Sequence, residues 1–388
     1  MKEFMGTKIT NLLIPWITPV IFLLSAQIAV DHGVLGLLGF SIMGAISFPA
    51  ISFLQRRLHG LALSDKLRNL IYTLYVIEII ICIGIVAEII VTEYFFNFVS
   101  LSIINVLFIT ATTIVVLFLQ KFNVKWLSVS MVVGGLITSF LIPTLVYLKV
   151  SIPTVYSGLH FLANDMLRFD NQQTWLLIVN LGIILIVHQI LHALFYGKKV
   201  MKERKVGAYL VSALIWGIVP ISLGSLAFLA KAQAVWPEQS DQVSILVINR
   251  FGGQFGQTIF LVTSIFIIIS LLSRMWNNFK KQSFYKGPFT TIIYVAIPLV
   301  IVVMFKITLL QVVVTIGLIW GPVLGILLWS TNNEKVNWII LSLGSTVAIL
   351  VAYLQSITLG IIVGTIVTSV SMKIIHYITL EYRENISA

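Results

Sequence analysis

Charge is what this chain has least of. Asp, Glu, Lys and Arg make up 10% of its 388 residues and hydrophobic residues 59%, for a mean hydropathy of +1.03. A soluble fold needs a polar surface that these residues cannot supply. Cysteine is nearly absent. Cys82 stands alone inside an apolar run, which excludes a disulfide framework and a cysteine metal site. The 14 acidic residues are dispersed, and no phosphate-cradling GxxxxGK[ST], HExxH pair or GxSxG elbow occurs. The net charge of +11 is spread through short loops, so it forms no nucleic-acid footprint. No cleaved leader is expected, because the first apolar run is already of spanning length and a second follows it directly. What remains is a polytopic, all-α membrane protein.

What is present is apolar sequence in lengths that match a bilayer. Hydropathy predicts twelve spans near 10–30, 34–53, 70–91, 98–119, 126–148, 174–195, 206–230, 256–274, 288–305, 308–329, 336–354 and 357–378, with ends placed to within about 2–4 residues. Twenty of the 25 Lys and Arg residues fall in alternate gaps, from Lys2 and Lys8 through Arg56, Arg57 and the Lys198–Lys205 run to Arg383. The positive-inside rule then places both termini in the cytoplasm. Two loops on the outer side are longer than a linker needs, 150–173 and 231–255. They read as short helices capping the bundle, or as a lid over a substrate path.

Ionisable residues within spans are costly, so each needs a reason. Glu78 lies near the centre of span 3 and reads as a proton-coupling group, a cation ligand or an interhelical hydrogen-bond partner. Glu88, ten residues on, is placed to reach water. His188 and His192 are four apart on span 6 and share a helix face, which fits a gate, a proton relay or two histidines in a wet inner vestibule. Small and hydroxyl residues such as Thr112, Gly134, Gly135 and Gly217 read as packing.

Three segments carry a family resemblance. They are the run from Gln189 to Lys199 continuing through Arg204 and Lys205, the run from Ser270 to Trp276 leading to Lys280 and Lys281, and Gly321-Pro322 with Gly325 and Trp329. In this order and spacing they resemble the sodium:solute symporter family. The resemblance implies a LeuT-type core of ten helices over residues 1–330, as two five-helix inverted repeats (10–148 and 174–329). Two further helices and a short tail follow in 331–388. In such folds spans 1 and 6 are interrupted at midplane and hold the substrate. Span 1 carries Pro15 and Pro19 around Trp16 and Thr18, where a helix must kink or break. Span 6 carries Asn180-Leu181-Gly182, where a break is cheap. The substrate-binding candidates are therefore Pro15, Trp16, Thr18, Pro19, Asn180 and Gly182. The resemblance also implies a sodium site, for which span 8 offers the hydroxyls of Thr263 and Ser264 but no aspartate.

The expectation is a secondary transporter, not an enzyme, moving a small organic solute with sodium or protons. Its partners would be the bilayer and the solute, with a protein partner left open, and no cofactor is called for beyond a sodium ion. A transporter-like sensor or complex subunit, or a carrier of lipid-linked glycans, are the alternatives.

Overall fold

A computed structural model describes residues 5–59, 63–95, 125–196, 206–279, 288–331 and 333–387, and all regular structure among them is helical. The expected span 4 and its Thr112, together with the basic loops 197–205 and 280–287, lie outside the described residues, as do Lys2 and the side chains of Arg56 and Arg57. Nine stretches among the described residues are long and apolar enough to cross a membrane.

The chain opens on α1 (Met5–Leu13), breaks at Ile14–Thr18, and resumes as α2 (Pro19–His59). Pro15 and Pro19 impose this break, since neither has an N–H and each ring clashes with the preceding turn. Pro19 instead takes the first position of α2, where a donor is not needed, and Thr18 Oγ1 accepts from Ile21 N at 3.4 Å. At Gly33, with φ 65° and ψ −159°, α2 folds back on itself, so that Trp16 and Phe48 meet with ring centroids 6.1 Å apart. Only glycine suits this corner. The φ is positive, and a Cβ would fall 2.4 Å from the carbonyl oxygen of Met166.

The following elements are α3 (Asp65–Phe95), α4 (Lys125–Lys149), α5 (Ile152–Leu162) with a short turn at Asn164–Leu167, and α6 (Gln172–Tyr196). Then come α7 (Val206–Gly224), α8 (Leu226–Ala232), a turn at Ser240–Gln242, α9 (Val243–Val247), and α10 (Gly253–Phe279). The chain ends in α11 (Pro288–Phe305), α12 (Leu309–Trp329), α13 (Glu334–Leu354) and α14 (Ile357–Ser387). α2 packs along α7 and α6, while α12 bridges α6 and the α13–α14 pair. Lipid solvates leucine as well as a neighbouring helix does, so close approach depends on small residues. Gly44, for example, lies directly against the Trp216 ring, where any Cβ would clash.

Lys8 of α1 is buried, with Nζ 5.2 Å from the centre of the Tyr209 ring at the start of α7. This end of the bundle is the near face. The opposite end, the far face, carries α5 and the 240–252 segment. Both long loops there are built as short helices, and Gly158 of α5 rests on Ala232 of α8.

One expectation fails. α6 runs unbroken from Gln172 to Tyr196, so Asn180-Leu181-Gly182 marks no interruption. That tripeptide contains no proline, and a lone glycine costs a helix only about 1 kcal/mol. Packing outweighs it: Met43 of α2 fills the space over Gly182, and Ile178 fills that over Gly39.

Candidate functional site

The break in the first crossing borders a pocket of about 100 Å³. Pro15, Trp16 and Thr18 form one wall, Phe40 stands beside them, and Tyr75, Glu78 and Cys82 of α3 face His188 of α6. Among the described residues, no backbone N–H donates to the carbonyls of Ile14, Pro15, Trp16 or Ile17. Trp16 N and Ile17 N instead share the Leu13 carbonyl at 2.9 and 3.0 Å. Backbone acceptors are thus released beside a largely apolar cavity.

Glu78 is its acidic group, and the residue is 3% exposed. Its Oε2 lies 2.8 Å from His188 Nε2 and accepts from Trp320 Nε1 of α12 at 2.7 Å. With the carboxylate ionised, the His188 proton sits on Nε2, and one oxygen ties α3 to both α6 and α12. The other oxygen, Oε1, is buried and meets no protein donor. Rings enclose the pair: Trp16, Tyr75 and Trp320 have centroids 6.4, 5.7 and 5.8 Å from that of His188. Trp16 also meets Trp216 edge-on at 6.0 Å, and its Nε1 is buried without a protein acceptor.

A narrow cleft continues toward the near face. It shares Pro15, Tyr75, Ile79 and Leu271 with the pocket and reaches His192 and Met275. On the far face, hydrogen bonds join α2 to the 231–255 loop and to α12. Gln27 donates to Ser240 Oγ at 3.2 Å, and Ser240 donates to Asp31 at 3.0 Å. Asp241 and Gln27 accept from Leu309 N and Leu310 N at 3.2 and 2.9 Å, so both satisfy the open N-terminus of α12. The 231–255 loop therefore caps the first crossing and α12 together.

A second polar spot lies against α4. Thr138 donates to Thr263 Oγ1 at 3.0 Å, and the neighbouring Ser264 Oγ is buried without a protein partner. Ile17 of the break and Ile267 of α10 both pack on Gly135, which puts this spot next to the break. Ser264 and Thr263 offer hydroxyl oxygens of the kind that a sodium ion takes.

Of the residues singled out in the sequence, Pro15, Trp16, Thr18, Glu78 and His188 border one pocket. Pro19 is buried at the start of α2, off the lining. Asn180 and Gly182 stand on α6 away from the pocket, with Asn180 fully buried and its amide unmatched by any protein group. Thr263 and Ser264 form the separate spot, and His192 belongs to the cleft. Trp320 was missed. A tryptophan in an apolar span gives no sign of its partner, and only its flanking glycines, Gly317 and Gly321, hint at a close packing site.

No family model and no curated protein matches the chain. Solved structures do. A Na+-coupled sialic acid symporter in a substrate-bound outward-open state superposes with a TM-score of 0.64 at 12% identity, over 96% of this chain and 89% of that one. Mhp1, a nucleobase-cation-symport-1 family transporter in a closed conformation with bromovinylhydantoin bound, gives 0.55 at 14% identity, over 97% and 91%. The chain is an all-α membrane protein with the LeuT-type transporter fold.

Proposed function

We propose that this protein is a secondary active transporter that carries a small organic solute across the cell membrane by alternating access, with both termini cytoplasmic. Glu78 and His188 couple the movement to protons. One observation carries the reading: a buried carboxylate of the pocket wall, beside the broken helix, commits one oxygen to α6 and α12 and leaves the other buried without a protein donor. Ionised, Glu78 is a strong double acceptor; protonated, it loses the charge that strengthens both bonds. Each proton taken up or released therefore changes how firmly α3 is held to α6 and α12. The near-face arm α1 pivots at Ile14–Thr18, and the far-face seal at Asp241 and Gln27 opens in alternation with it. The His192 cleft is the proton's way to the cytoplasm.

A second reading, sodium coupling, is favoured by the unmatched Ser264 hydroxyl beside the break and by the likeness to a Na+-coupled symporter. The lone cysteine provides the test, because Cys82 borders the pocket. A small membrane-impermeant methanethiosulfonate should label Cys82 in right-side-out and in inverted vesicles alike, with mass spectrometry as the readout. Labelling from neither side would favour a non-transporting sensor. An imposed pH gradient that shifts the ratio of the two labelling rates supports proton coupling; a shift with sodium alone, abolished in Ser264→Ala, supports the other.

A further inference from the structure

We propose that the central pocket selects a small organic cation, an ammonium group on a short apolar body, and that this cation and a proton exclude each other at Glu78. The inference rests on the transporter reading above and adds its substrate class.

The chemistry of the walls leads to it. Among the described residues no Lys or Arg borders the pocket, so an anionic solute would face Glu78 with no fixed positive charge to offset it. Glu78 Oε1, buried and unmatched, is the strongest open acceptor there, and a desolvated carboxylate oxygen is best satisfied by a charged donor. The released carbonyls of the break add weaker acceptors. Trp16, Phe40 and Tyr75 present rings, whose faces attract cations. Most of the remaining lining is aliphatic, with Ile79, Leu181, Ile184 and Leu185 suited to a hydrocarbon body. At about 100 Å³ the space is well below the roughly 300–1,000 Å³ of pockets that hold drug-sized ligands. The body must be short.

Exclusion follows from the single site. Oε1 can carry a proton or accept from an ammonium group, and the two do not fit together. The titratable groups facing Glu78 are His188 from α6 and Tyr75 and Cys82 from its own helix; the first crossing, α10 and α12 bring none to the pocket. Loading the cation therefore expels the proton, and the two cross the membrane in opposite directions.

The test uses the full-length protein in nanodiscs and three probes of similar shape: isopentylamine, isopentanol and isovalerate. Titration calorimetry at pH 8 should show the amine binding at least tenfold more tightly than the alcohol, with no heat from the acid. Stepwise acidification should progressively weaken the amine and leave the alcohol unchanged, and this comparison needs no variant. In Glu78→Gln the preference for the amine over the alcohol should vanish. Equal or tighter binding of the alcohol or the acid, an amine affinity indifferent to acid, or no binding by any probe would each overturn the inference. Two-sided labelling of Cys82 tells these failures apart from failure of the transporter reading, which predicts that labelling whatever the solute's charge.

Discussion

The first crossing is cut at Ile14–Thr18, whereas α6, which walls the same pocket, runs intact from Gln172 to Tyr196. One contributes backbone, the other side chains. The cut stretch offers four carbonyls to which no backbone N–H among the described residues donates, and the intact helix offers His188, held against Glu78. The cause is chemical. Two prolines four residues apart remove two donors and force two steric conflicts, while Asn180 and Gly182 remove none. The difference teaches that a LeuT-type pocket can be open at the backbone on one side and built from a hydrogen-bonded carboxylate–imidazole pair on the other. On the proposed transport cycle, motion concentrates at the proline break, with α6 moving as a rod.

The largest expected effect comes from abolishing that contrast. Each proline disfavours a continuous helix by about 3 kcal/mol, so Pro15→Ala with Pro19→Ala should let α1 run into α2. Thermal unfolding should then shift upward. Two-sided labelling of Cys82 should fall on one side and persist on the other. Unchanged labelling in a stabilised protein would show that the break is not the hinge.

A smaller effect should follow on the side-chain half. Trp320→Phe keeps an aromatic ring beside His188 and removes the N–H bonded to Glu78. A hydrogen bond to a charged group contributes about 1.5–3 kcal/mol, so a loss of stability of that order is expected from denaturation in detergent. Because an ionised Glu78 loses one of its donors, solute binding should also weaken at a higher pH than in the unchanged protein. A drop in stability with an identical pH profile would reduce Trp320 to packing.

These residues also mark how far the sequence can be read. Pro15 and Pro19 were legible because proline acts locally, through a missing N–H that no tertiary contact restores. Glu78 and His188 were each conspicuous as ionisable groups in apolar spans, yet their pairing was not. It joins residues 110 positions apart through the relative rotation of α3 and α6. The far-face seal was hidden for the same reason: Gln27, Asp31 and Asp241 look like ordinary helix-end and loop residues until α12 brings its bare N-terminus to them. Asn180-Leu181-Gly182 misled because a permissive tripeptide allows a break without causing one, and the decision lay with Met43 and Ile178 across the interface.

The smallest expected effect tests the intact helix itself. A Cβ at Gly182 would lie 2.0 Å from Met43 Cε, the free end of a flexible side chain, with the sulfur at 3.5 Å. Met43 can swing aside, and alanine gains helix propensity of about 1 kcal/mol over glycine, against an overpacking cost of about 1–3 kcal/mol. Gly182→Ala should therefore change stability by less than about 2 kcal/mol in denaturant unfolding, the difference of those two terms. Labelling of Cys82 from the two sides should stay the same. A rod does not depend on a glycine in its middle. If the substitution instead removes access from one side while stability holds, then α6 bends at Gly182 during the cycle, and the two crossings are alike after all in a conformation other than this one.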